Sequence, residues 1–225
     1  MKSLSSEKYF AAIDPIRGIL AITIALVHTA PYFSFVYQKY LGLPLFYSYI
    51  WANAFFYFGA GFLSAHSSRR RIHDGNQTLP GYILKKLDKL YPPLLISTLM
   101  VILFGVIDEG AGYFELYKAL RSLTVLNWGW VDCVVPYNYP LWFISIILLC
   151  YTLYFFIARL NDDRYLAAVF AMFLLGFYIL NNDFSIPFLF TRSGIGYFFF
   201  FAGVMLYELL KDISDRKTVN MIESV

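Results

Sequence analysis

Residues 13–32 read IDPIRGILAITIALVHTAPY, and the reading of this stretch decides the fold. Asp14 and Arg17 stand at its entrance, an apolar run follows, and His28 sits deep inside that run. Arg17 and His28 are eleven residues apart, which on a helix is three turns plus about 20°, so they share a face about 16 Å apart along the axis. An ionisable group inside a membrane span costs a few kcal/mol or more and usually faces a cavity, a partner or a pathway. Two readings stand for His28: a neutral histidine hydrogen-bonded to a neighbouring helix, or a working imidazole.

Working outward, the whole chain has the composition of an integral membrane protein. Of its 225 residues 59% are hydrophobic and 15% charged, against about 45–50% and 25% in soluble domains. The apolar residues cluster into long runs, so no stretch is left for an independently folding soluble domain. No small-residue cleavage site follows the first run, which therefore reads as a retained signal anchor. Cys133 and Cys150 have neither metal-like nor redox-like spacing, and His28, His66 and His73 are too scattered to suggest a metal site. Nothing in the pattern addresses nucleic acid.

The runs give six expected spans, at residues 18–35, 43–65, 92–107, 141–158, 165–180 and 194–210. Residues 1–12 form an N-terminal segment, 13–210 the membrane domain, and 211–225 a polar tail that should fray. Gly59 and Gly61 suggest close helix contact, because no phosphate-binding context surrounds them. Between the second and third spans lies the most basic segment, with Arg69, Arg70, Arg71, Lys85, Lys86 and Lys89. Ile83, Leu84, Leu87, Leu90 and Tyr91 fall at helical spacing with lysines opposite, the pattern of an interfacial amphipathic helix. Phe114, Tyr117, Leu120 and Leu123 recur every three residues, which suggests a helix on the bilayer surface. With the N-terminus inside, fourteen Lys and Arg are cytoplasmic and four (Lys39, Lys118, Arg121, Arg192) are outside. The positive-inside rule thus predicts both termini in the cytoplasm. The expected fold is all-α and polytopic, and Arg17 and Lys86 lie on one side of it, where a polyanionic ligand could dock. The three arginines at 69–71 equally suit plain attraction to anionic lipid.

Five stretches in order resemble the acyltransferase-3 family of integral membrane acyltransferases. They are Asp14-Pro-Ile-Arg17-Gly18 with His28 at its spacing, Phe58-Gly-Ala-Gly-Phe-Leu63, Lys86-Leu-Asp-Lys89-Leu-Tyr-Pro92, Asn138-Tyr-Pro-Leu-Trp142-Phe-Ile144, and Arg192 with Gly203. Ala60 stands where the family usually has serine, and Lys86 and Lys89 where it has arginines. The resemblance implies O-acyl transfer, commonly acetyl, from acyl-CoA to a hydroxyl of a cell-surface carbohydrate, a lipid-linked glycan or a related acceptor. It implies His28 as base or acyl-handling residue, Arg17 as its donor-side charge partner, and Lys86 and Lys89 as contacts to CoA phosphates. Trp142 and Asn138 would meet the acceptor, although Trp142 equally suits an interfacial anchor. It also implies a multi-pass protein of a bacterial cytoplasmic membrane. Family members usually carry more than six spans, so a short or truncated member is expected, with a partner subunit as one source of the missing spans. Two other classes stay open: a transporter or flippase-like protein with a proton-relay histidine, and an inactive remnant.

Overall fold

The computed structural model describes residues 15–16, 18–22, 50–88, 90–127, 129–130 and 135–223. The chain divides into two compact units, residues 1–56 and 57–225. In the first, residues 18–22 are helical and Leu20 is buried. The expectations placed on Arg17, His28 and Lys89 lie outside the described residues.

The described residues contain helices and no strand. In chain order they are α1 (Ile50–His73), α2 (Leu79–Leu87), α3 (Tyr91–Glu109), a 3-10 turn (Ala111–Tyr113), α4 (Leu116–Thr124), α5 (Leu141–Ile157), α6 (Asp162–Leu180) and α7 (Thr191–Glu223). Three of them, α3, α6 and residues Thr191–Ile213 of α7, are long and apolar enough to cross a membrane, and α5 is a shorter apolar helix. On α3 the side chains of Ile96, Leu99, Leu103, Phe104 and Ile107 are all largely exposed. So continuous an apolar face suits lipid and not water.

Helix α5 is the core of the second unit. Leu141, Trp142, Tyr154, Phe155 and the whole run 145–151 are buried. Around it the helices approach at glycines. A Cβ on Gly61 of α1 would collide with the Phe200 carbonyl oxygen of α7, and one on Gly203 would collide with that of Phe58. Gly176 of α6 meets the Phe198 backbone in the same way, and Phe173 stacks on Phe198 with centroids 4.7 Å apart. Where lipid removes the hydrophobic incentive for helices to associate, such close backbone approach supplies van der Waals contact instead. The expectation for Gly61 is met at this crossing.

Both amphipathic helices form, and each turns its apolar stripe away from the protein. In α2, Tyr82 is buried and Lys86 lies on the same face, whereas Leu84 is 64% exposed. In α4, Ala119 and Ser122 are buried while Leu116, Tyr117 and Leu120 are exposed. Helix α4 returns along α3. Gly105 of α3 abuts the Tyr113 ring, and the Tyr91 hydroxyl at the start of α3 donates to the Leu123 carbonyl at 2.8 Å. The tail differs from expectation, since α7 stays helical through Glu223. Extending an existing helix fixes one residue per added hydrogen bond, a far smaller cost than nucleating one.

Candidate functional site

Two polar clusters occupy opposite ends of α5, and a third ties α1 to α6 and α7. At one end, Thr78 caps α2 by accepting from the Gly81 amide at 3.3 Å, with Pro80 in the first turn. Cap and proline together start the helix where the preceding Asp74-Gly75 turn leaves it. The register that follows places Tyr82 and Lys86 four residues apart on the face that meets α5. The Lys86 ammonium donates to Ser64 Oγ of α1 at 3.3 Å. It also lies 4.9 Å from the Tyr151 ring centroid and 5.3 Å from that of Tyr82. Aromatic faces attract a cation more strongly as water is removed. Burial pushes the Tyr82 phenol well above its usual pKa, so this ring of the lysine box stays neutral beside the ammonium. Beside it, in the elbow between α2 and α3, Leu84, Lys85, Leu87, Asp88, Tyr91 and Pro92 line a groove of about 630 Å³.

At the other end of α5, Trp142 is buried in the first turn. The Arg192 guanidinium of α7 lies 5.0 Å from the Trp142 ring centroid and donates to the Tyr139 hydroxyl at 3.1 Å. Asn138 turns its amide nitrogen to Ser97 Oγ of α3 at 2.8 Å, which ties the start of α5 to α3. Tyr57 of α1 donates to the Phe143 carbonyl at 3.3 Å. Trp142 and Tyr151 are nine residues apart, so about 14 Å of helix separates this cluster from the lysine box. The structure therefore brings Asn138, Trp142 and Arg192 to one end of α5 and Lys86 to the other.

The third cluster was not read from the sequence. Arg69 of α1 reaches Asp162 of α6 and donates to Glu208 Oε2 of α7 at 3.1 Å. Its guanidinium lies 3.7 Å from the Tyr165 ring centroid, and the Tyr165 hydroxyl donates to Glu208 Oε1 at 3.1 Å. This gives Arg69 a bridging role beyond either lipid attraction or ligand binding. Three consecutive arginines carry no sign of which one turns inward; only Arg69 falls on the face toward α6 and α7.

Helices throughout the described residues, several of them suited to a bilayer, fit a membrane protein, with Lys86 toward one end of α5 and Arg192 beside Trp142 at the other. Comparison with known families agrees, since residues 10–223 match the family model described as "Acyltransferase domain". The chain belongs to the acyltransferase-3 family. No curated protein and no solved structure matches it.

Proposed function

We propose that this membrane acyltransferase moves an acyl group, acetyl in the simplest case, from cytoplasmic acyl-CoA to a hydroxyl of a cell-surface carbohydrate or related glycan. The observation that carries the reading is the family match over residues 10–223, which contains Arg17 and His28 at the spacing described above. In this reading the chain is multi-pass in a bacterial cytoplasmic membrane, with six spans and both termini inside. Acyl-CoA docks where the basic segment lies, with Lys86, Lys89 and Arg17 meeting its phosphates and the groove beside Lys85 taking apolar parts of the donor.

The chemistry asks for little beyond positioning and one proton carrier. The acceptor oxygen attacks the thioester carbonyl, the new C–O bond forms, and the C–S bond breaks. Neutral His28 takes the hydroxyl proton and returns it to the departing thiolate, a task suited to a group with a reference pKa near 6.5. Trp142 and Asn138 belong to the acceptor half of the path.

The test is transfer of labelled acetyl from acetyl-CoA in membranes containing this chain, beside membranes without it. Transfer that depends on the chain supports the reading. Proton-coupled flux with no CoA requirement would favour the transporter class, and neither activity would favour a remnant or a chain that needs a partner subunit. Lys86→Met keeps the length and the apolar stem but removes the charge. Losing a charge-assisted contact of about 1.5–3 kcal/mol should raise the KM for acetyl-CoA by roughly 10- to 100-fold. The kcat should stay within a few-fold, and an unchanged KM would remove Lys86 from donor binding.

A further inference from the structure

The return of α4 along α3 sets up an irregular segment that the proposed function has not used. Once Leu123 has come back beside Tyr91, the chain leaves the helix at Val125, whose φ of 59° is left-handed. It then enters between α5 and α7. A Cβ on Gly129 would lie 2.6 Å from Ser193 Oγ and 3.5 Å from Ile146, and Gly129 has a φ of +85°. The Phe188 amide donates to the Gly129 carbonyl at 3.0 Å, and the Trp130 indole donates to the Ser145 carbonyl at 3.0 Å. If α3 crosses the bilayer, residues 125–127 and 129–130 are non-helical backbone at membrane depth. Such backbone is tolerated only where protein buries it or where it lines a watery cavity.

Two side chains here are buried without hydrogen-bond partners. Asn127 is 0% exposed, and neither its Oδ1 nor its Nδ2 has a partner among the described residues. Ser193, also 0% exposed and in the first turn of α7, leaves its Oγ in the same condition. Buried polar groups are paired in the great majority of cases, and an exception asks for an explanation such as a missing ligand or water. The Arg121 guanidinium reaches the Asn127 carbonyl at 3.4 Å, so the backbone is held while the amide is not. An amide presents an acceptor and a donor side by side. That pair matches a group that both donates and accepts, which is a hydroxyl or two neighbouring hydroxyls, and does not match a lone anion.

We propose that Asn127 and Ser193 form a binding site for a neutral hydroxyl-bearing ligand, the carbohydrate acceptor, at the turn between α4 and α5. This rests on acyl transfer to a hydroxyl and deepens it by naming side chains that receive the acceptor. Water offers the same chemistry, and the experiment separates the two sources. The full chain in nanodiscs is titrated with methyl glycosides of glucose, galactose and N-acetylglucosamine, and the thermal midpoint is followed. A saturable rise is expected for at least one glycoside, weakened tenfold or more by Asn127→Leu and several-fold by Ser193→Ala. Should Asn127→Leu not fold, Ser193→Ala, which removes only a hydroxyl, carries the comparison. Unchanged saturation in the variants, or no rise with any glycoside, overturns the site and leaves water as the occupant. Glycoside binding without acetyl transfer keeps the site and removes the acyltransfer reading. Acetyl transfer by Asn127→Leu at an unaltered acceptor KM does the reverse.

Discussion

Arg69→Ala is expected to lower the thermal midpoint of the purified protein on the order of 10 °C. The reason is what the substitution leaves behind. Glu208 is only 10% exposed, and without Arg69 it keeps a single neutral donor, the Tyr165 hydroxyl. Removing one partner of a buried pair costs about 3–5 kcal/mol, because the other charge stays desolvated. For a chain of this length each kcal/mol shifts the midpoint by about 2–4 °C. The two carboxylates should behave differently. Asp162 is 87% exposed, and a surface partner contributes about 0–1 kcal/mol, so Asp162→Ala should move the midpoint by no more than a few degrees. Arg69→Lys should rescue poorly, since an ammonium cannot reach two carboxylates with a planar fork while stacking on the Tyr165 ring. Equal midpoints for Arg69→Ala and Asp162→Ala, measured by scanning fluorimetry in one detergent, would show that the bridge does not hold α1 to α6 and α7.

His28→Ala is expected to lower acetyl transfer by about 10²- to 10⁴-fold, the usual contribution of a positioned acid–base group. Binding of acetyl-CoA should survive, because the proposed donor contacts are the cationic Arg17, Lys86 and Lys89 and not His28. The pH profile gives the second readout. Transfer by the parent chain should fall as pH drops through the imidazole pKa, because the proton-accepting form disappears. Equal transfer by parent and variant would remove His28 from the chemistry and with it the centre of the proposed mechanism.

The helical class and the membrane setting were legible in the sequence because both follow from run length and composition, and the acyltransferase-3 resemblance followed from residues spaced along a single strand of text. The basic helix before α3 and the amphipathic helix after it were legible for the same reason. Both were read as lying at the bilayer surface, which sets the apolar stripe toward lipid and away from the protein. In a soluble protein the stripe of Leu84 and Leu87, or of Leu116 and Leu120, would face the core; here exposed Leu84, Leu116 and Leu120 face away, and Tyr82, Ala119 and Ser122 face in. Periodicity reports that a stripe exists and is silent on which medium it meets. The Arg69 bridge joins residues up to 139 positions apart, and the orphaned Asn127 sits in a segment with no period at all. Neither leaves a local trace. The glycine crossings fall between these cases: Gly61 suggested a close contact, but its partner at Phe200 emerged only from the fold.

Helix α7 is one unbroken rod without proline from Thr191 to Glu223, gripped about a third of the way along at the Gly61 and Gly203 crossing. That makes it a lever with a fulcrum. Arg192 lies about 14 Å to one side of the crossing and Glu208 about 10 Å to the other, at 1.5 Å per residue. A tilt of about 10° would carry Arg192 roughly 2.4 Å across Trp142 and swing Glu208 roughly 1.7 Å from Arg69 in the opposite sense, by the same rise. Because glycine at the pivot leaves no side chain to cushion the motion, loosening the grip at one end of the rod strains the grip at the other.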